Sequence, residues 1–270
     1  MKLAISSLAW EPADDTAVRA LLARRGVRGI ELAPLKYWPS PPGVAPQTLS
    51  AYSAEWADAG IAIIALQGIL FGFPELRLFG SAAQQDALER HLVDMTAIAS
   101  ALGASVLVLG APRNRLRGEL SEEEAIEQAA PLLRRVGVAA QDRGCVLCVE
   151  PTPHRYDGDF VRSIQEAERL VDVVAHPGVA LHLDAGAISI VDEPDDVVRH
   201  GAHRARHFHA SEIDLLPLGA GTVDHRRLAG LLRASEYAHW CSVEMRPIAP
   251  HALLRTINDA LDVALLAYGA

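Results

Sequence analysis

Basic residues are scarce in this chain: 25 lysines and arginines stand against 34 aspartates and glutamates, a formal net charge of −9. A nucleic-acid-binding protein shows the opposite balance or a basic stripe, so no nucleic-acid partner is expected. Cysteine is nearly absent. The three present, Cys145, Cys148 and Cys241, are too few for a disulfide framework and fit a reducing cytoplasm. The Cys145-x-x-Cys148 spacing reads as two separately packed thiols, because residues three apart on a strand point to opposite faces. No apolar run is long enough to span a bilayer; the longest, near 61–73, is broken by Gln67. The opening MKLAISSLAWEP lacks a basic segment followed by a long apolar one. Neither a signal peptide nor a membrane partner is therefore expected, and a cytoplasmic location is. A glycine-rich phosphate loop is also missing after the first strand-like run, where SSLAWEP stands, which counts against a dinucleotide-binding open sheet. Aromatics make up 5 % of the chain against 50 % hydrophobic residues overall, so the core is mainly aliphatic.

What is present is a rhythm. Strand-like runs are predicted at 2–7, 27–33, 61–66, 104–110, 145–150, 179–184, 205–209 and 240–244. Gly26, Gly60, Gly103, Gly144 and Gly178 each follow a helix-like segment and precede a strand, as expected of left-handed residues that end helices. The clearest helical stripe, Leu88, Leu92, Met95, Ile98 and Leu102, predicts a helix over about 82–102, and Ser121 with Glu124 reads as a capping box opening another. Eight near-continuous apolar strands alternating with helices predict a parallel (β/α)8 TIM barrel, one domain over 1–270. Two long loops after strands, 34–47 and 67–81, carry Tyr37, Trp38, Phe71, Phe73 and Phe79. These aromatics are expected either to wall a pocket or to form the contact of a homodimer.

Four of the strand-like runs stop on metal-ligand residue types: Glu150, Asp184, His209 and Glu244, spaced 34, 25 and 35 residues apart. Each gap is long enough for one helix and two loops, so the strands are expected to run parallel and all four side chains to converge on one mouth. Two residues back on the same face lie Cys148, His182, His207 and Ser242. Barrel interiors are ordinarily branched aliphatics, and a polar layer under a ring of carboxylates suits the surroundings of a metal. Three carboxylates in an apolar mouth need a countercharge, which a divalent cation supplies; Arg246 is the other candidate. Three oxygen donors with one imidazole favour Mn²⁺ first, then Mg²⁺ or Co²⁺, with Zn²⁺ also compatible.

These residues, with VEPTPHRYDGDF, HLDAGAI, HFHASE, PLGAGTVDH and SVEMRP around them, resemble the xylose isomerase-like barrel superfamily over essentially the whole chain. The nearest group comprises sugar phosphate isomerases and epimerases, ketose 3-epimerases and inosose dehydratases. The resemblance implies that Glu150, Asp184, His209 and Glu244 hold the metal, and that Glu150 and Glu244 move a proton on either face of a substrate carbon. It implies an isomerase or epimerase of a sugar, sugar phosphate or cyclitol working through a cis-enediolate. A dehydratase or lyase on a related polyhydroxylated substrate and a non-catalytic barrel are the alternatives. The superfamily's DNA-repair endonucleases need more histidines and a basic groove, which the net charge opposes. Two departures separate the chain from the ketose 3-epimerases: Ala187 and Leu215 stand where those relatives carry a substrate-contacting histidine and arginine, whereas Glu212 matches. Arg113, Arg115 and Arg117 are candidates for a substrate phosphate or carboxylate, and His154, Tyr156 and Arg246 are further pocket candidates. His200, His203, His225, His239 and His251 are expected at the surface.

Overall fold

Period-two burial along short aliphatic runs decides the architecture. On the fifth strand Leu147 and Val149 face the main core while Cys148 faces a separate inner cluster with Ala4, Ile64, Ala65, Val106, Val108 and Ala180. That alternation requires helices outside and a filled barrel inside. A computed structural model describes residues 1–40 and 43–269. Its strands are β1 (Lys2–Ser6), β2 (Gly29–Leu32), β3 (Ala62–Leu66), β4 (Val106–Leu109), β5 (Val146–Val149), β6 (Val179–Asp184), β7 (Ala205–Ser211) and β8 (Trp240–Glu244). All neighbouring pairs are parallel, and β8 pairs with β1 to close the barrel. The (β/α)8 TIM barrel expected from the rhythm is the fold.

The outer layer is α1 (Asp15–Arg25), α2 (Pro34–Tyr37), α3 (Pro46–Ala57), α4 (Ala82–Leu102), α5 (Glu122–Asp142), α6 (Ile164–Val174), α7 (Ala185–Val191), α8 (Asp195–Arg204), α9 (His225–Ala234) and α10 (Leu253–Tyr268). Helix α4 begins and ends where its apolar stripe predicts. Ser81 and Ser121 each close a capping box, with Gln84 and Glu124, which satisfies amide groups that a helix start leaves unpaired. Among the described residues no helix is long and apolar enough to cross a membrane.

Four of the five punctuating glycines, Gly26, Gly60, Gly103 and Gly144, have positive φ. Gly178 does not, which corrects its assignment as a left-handed cap: Ala175 takes that position at the end of α6. Gly178 is required instead by close approach, since a Cβ there would overlap the carbonyl of Gly137 on α5. The two thiols of the Cys145-x-x-Cys148 pair lie in different clusters and are free. Burial pushes the Cys145 thiol up to about 11 and holds that of Cys148 above its usual range.

Gly178→Ala is expected to force α5 away from the barrel and cost about 1–3 kcal/mol, the usual range for overpacking. Chemical denaturation of the two proteins measures it; an unchanged midpoint would show that the close approach carries no energy.

Candidate metal centre

Glu150 follows β5 directly, Asp184 and Glu244 end β6 and β8, and His209 lies two residues before the end of β7. Register brings them level: Asp184 pairs with His209 across β6 and β7, and Glu244 pairs with Ser211 across β7 and β8. One ligand atom from each of Glu150, Asp184, His209 and Glu244 falls within 4.8 Å of the others. Gly110, just after β4, makes the room, because a Cβ there would collide with the Glu150 carboxylate. The Asp184 carboxylate caps α7 by accepting from Ala187 N at 2.6 Å, and it also accepts from the Ser211 hydroxyl. Gln67 Nε2 donates to Glu244 Oε1 at 2.6 Å.

The strongest constraint comes from a residue that the strand-end pattern does not include. Glu31, in the middle of β2, is fully buried, with its carboxylate 3.0 and 3.1 Å from His209 Nε2 and 3.2 Å from His207 Nε2. Burial alone would raise its pKa, but the charges and hydrogen bonds of His209 and His207 outweigh that and hold it well below the usual range. An ionised carboxylate only accepts, so both imidazoles carry their proton on Nε2. That leaves His209 Nδ1 facing Glu244 Oε2 at 3.2 Å, Glu150 Oε1 at 3.5 Å and Asp184 Oδ2 at 3.9 Å, with no aligned hydrogen-bond partner. A lone pair aimed at three carboxylates is repulsive unless a cation stands between them. Among the described residues no lysine or arginine pairs with these three carboxylates, so the donor set fits a divalent ion held by Nδ1, with Glu31 behind it as the orienting carboxylate. Without the ion a proton must stand in: burial lowers the pKa of His209, but Glu31 and Glu244 drive it well above the ordinary imidazole value.

The polar layer below lies as the alternation predicts. Cys148, His182, His207 and Ser242 are all fully buried. The rings of His182 and His209 are 4.2 Å apart and nearly perpendicular. Burial, and then the neighbouring imidazoles, lower the pKa of His182 well below its usual value, so it remains neutral.

A cavity of about 500 Å³ opens over the cluster, lined by Gln67, Glu150, His209 and Glu244 at its inner end, by the loop 67–74 and by residues 110–114. Arg113 lines it at the rim but pairs with Asp157 at 3.0 Å. Arg115 and Arg117 do not join it there. Arg115 is buried behind Glu150, where its Nη2 donates to the Glu150 carbonyl and to Thr152 Oγ1, and burial lowers it to about 10. Arg117 binds Asp159. His154 is exposed against Arg162. Tyr156 accepts from Asp214 N at 2.9 Å, and burial is the main cause that raises its hydroxyl to about 12. Arg246 is exposed. Glu212 is buried away from the cavity, accepting from Gly219 N and Val223 N and sitting 3.2 Å from His225 Nε2, so it braces the loop between β7 and α9. His225 itself is buried, 2.7 Å from the Tyr268 hydroxyl; its expected surface position is corrected, because it opens α9 against α10. Phe71 and Phe73 line the cavity. Tyr37 and Trp38 pack instead on Tyr52, and Phe79 packs on Phe160. Within the loop 34–47, Pro41 and Pro42 lie outside the described residues.

Residues 19–262 match the family described as xylose isomerase-like TIM barrel. The chain belongs to this family. Its fold is similar to that of a D-psicose 3-epimerase crystallised in the presence of D-fructose (TM-score 0.84, 18 % identity, all of both chains covered). The 3-keto-D-glucoside 4-epimerase YcjR from E. coli superposes at a TM-score of 0.77 with 16 % identity over 97 % of this chain and 99 % of that one. The IOLI protein with a bound zinc atom gives 0.77 and 16 % over the whole of both chains. At these identities the likeness is one of fold. No curated protein matches the chain.

Two outcomes follow from the Glu31 contact and the crowded carboxylates. Glu31→Gln removes the charge that orients His209 and is expected to weaken Mn²⁺ binding about 10–100-fold with unchanged circular dichroism; chelator competition reads the affinity, and an unaltered value would remove Glu31 from the site. In the metal-free protein, burial and the charges of Glu150 and Glu244 push the Asp184 carboxyl up to about 7 from 3.8. A folded pKa above the unfolded one gives stability at low pH that is lost as pH rises through about 7. Metal-free protein should therefore melt at a lower temperature at pH 8 than at pH 6, and Asp184→Asn should flatten that difference in a thermal scan.

Proposed function

We propose that this protein is a divalent-metal-dependent isomerase or epimerase of a sugar, sugar phosphate or cyclitol, working through a cis-enediolate. The observation that carries the reading is the convergence of three carboxylates and one lone-pair imidazole nitrogen within 4.8 Å, with Glu150, His209 and Glu244 of the four lining a single cavity. Glu150, Asp184, His209 and Glu244 would hold the ion, and the oxygen-rich donor set favours Mn²⁺. Such an ion, when bound, polarises a substrate carbonyl and lowers the cost of charge on the adjacent oxygens.

The chain's own part is proton transfer. Glu150 and Glu244 follow or end different strands and both line the cavity beside His209, so two carboxylates would be within reach of a carbon seated there. One, ionised, takes the proton α to the carbonyl as general base, and the other, already protonated, delivers its own as general acid; both reset by exchange with solvent between turnovers. Return to the opposite face of the same carbon inverts it; return to the neighbouring carbon exchanges ketose for aldose. Gln67, donating to Glu244, keeps one of that carboxylate's oxygens occupied and leaves the other, Oε2, 3.2 Å from His209 Nδ1. The epimerase activities of the similar folds support the same class of chemistry for this chain.

Incubation of Mn²⁺-loaded protein in D₂O with a panel of ketoses and inososes is expected to introduce deuterium at the carbon next to the carbonyl, read by NMR. Glu150→Gln and Glu244→Gln should each lower that exchange about 10²–10⁴-fold. Mn²⁺ at a hundredfold excess over its dissociation constant should stabilise the fold by about 2.7 kcal/mol. No exchange on any member of the panel, together with no rise in melting temperature on adding Mn²⁺, would refute the reading.

A further inference from the structure

The cavity over the cluster is lined at its inner end by Glu150, His209 and Glu244 and at its rim by Arg113, the only lysine or arginine among the described residues of its wall. The Arg113 side chain is 80 % exposed and holds one described partner, Asp157, through Nη2 alone at 3.0 Å. Nη1 and Nε are left to donate elsewhere. Asp157 is itself exposed, and an exposed pair of this kind contributes little to a fold and exchanges readily for another anion.

The backbone that carries Arg113 is fixed on both sides. Ala111 has a φ of 43°, in the left-handed region where a residue with a Cβ is strained. Asn114 N donates to the Ala111 carbonyl at 3.1 Å, and the Asn114 side chain donates to the carbonyls of Phe73 and Leu76. Arg115 donates to the Glu150 carbonyl and to Thr152 Oγ1. The two polar side chains after Arg113 are thus buried in tying the turn down, whereas Arg113 stands out at the cavity mouth.

The charges would order a ligand in this space. Three carboxylates around one divalent ion and a neutral imidazole leave the inner end negative, so an anionic group is repelled there and drawn to the guanidinium. A neutral sugar gains only ordinary hydrogen bonds from Arg113. An anionic one gains charge-assisted bonds, about twice as strong, and with them a direction: anion outward, the rest of the chain towards the carboxylates. The volume, about 500 Å³, is in the range that encloses a whole small ligand.

We propose that the substrate is a keto-sugar bearing an anionic group, a phosphate or a carboxylate, at the end remote from its carbonyl, and that Arg113 receives that group at the rim. The proposal rests on the reading of the cavity's inner end as the reaction centre, and it adds the chemical class of the part that does not react.

Calorimetric titration of the Mn²⁺-loaded protein with D-fructose, D-fructose 6-phosphate and D-fructuronate tests it. All three present the same ketone and differ at the far end of the chain, which ends in a hydroxyl, a phosphate or a carboxylate. At least one anionic sugar is expected to bind about tenfold tighter than fructose, and the tighter of the two identifies the group. Arg113→Ala, which removes an exposed side chain, should bring that sugar within about twofold of fructose. Asp157→Asn, which frees Arg113 from its competing carboxylate, should tighten the anionic sugar further. An Arg113 that only ties two loops together would make both variants act alike on all three sugars, and that result would overturn the proposal. So would equal affinities in the parent protein, no binding of any probe, or a preference that survives Arg113→Ala, which would place the anion on the ion. Deuterium exchange on the same sugars separates this proposal from the reading it rests on. An Arg113-dependent preference without exchange on any ketose strikes the isomerase reading and leaves the anion contact standing; exchange with no preference does the reverse.

Discussion

One proton governs this barrel. Glu31 is buried and ionised, so it can only accept, and it fixes the proton of His209 on Nε2. The opposite nitrogen must then present its lone pair to Glu150, Asp184 and Glu244. Three like charges and a lone pair directed at one point make an arrangement that the fold tolerates only with a cation, or a proton in its place, at the centre. The histidine tautomer and the direction of its lone pair follow from that single contact, and with the three carboxylates they create the need for a positive charge.

The rest of the interior serves it. TIM barrels are ordinarily packed with branched aliphatics, and the lower end of this one is, through Ile64, Val106 and Val108. Towards the mouth, cysteine, histidine and serine replace them, and His182 keeps both ring nitrogens unpartnered at zero exposure. Burying polar groups without partners costs stability, so the upper half of the barrel is less stable than an aliphatic core would be. An ion held there would therefore be linked to folding, as it is wherever the ligands repel one another without it.

Much of this was legible before any coordinates. Parallel strands joined by helical connections have one common end, even where two short helices, α7 and α8, fill the gap between β6 and β7 in which one was expected, so residues that terminate or follow β5, β6 and β8, or lie near the end of β7, must converge. The alternation of side chains then dictates Cys148, His182, His207 and Ser242 beneath them. Glu31 escaped because it sits inside GIEL rather than at the end of its run, and one acidic residue among aliphatics does not identify its partner. A charged residue inside a wholly apolar strand was the available signal. His225 escaped for a related reason: a histidine opening a polar helix has no periodic mark of burial, and only the packing of α9 on α10 enclosed it. Gly178 followed the pattern of the other glycines and was required for a different purpose, because contact between α5 and the start of β6 depends on two elements far apart in sequence.

Local rules thus determined the fold class, the positions of the strands, the capping boxes of α4 and α5, and the four residues that gather at the mouth, since each rests on spacing along the chain or on the period of a strand. Tertiary structure alone decided the partner of His209, the burial of Arg115 behind Glu150 instead of in the cavity, and the separation of Phe71 and Phe73 from Tyr37, Trp38 and Phe79. These are distances between residues on different strands and loops, set by barrel closure and by how each loop folds back, and no periodicity within a single segment contains them.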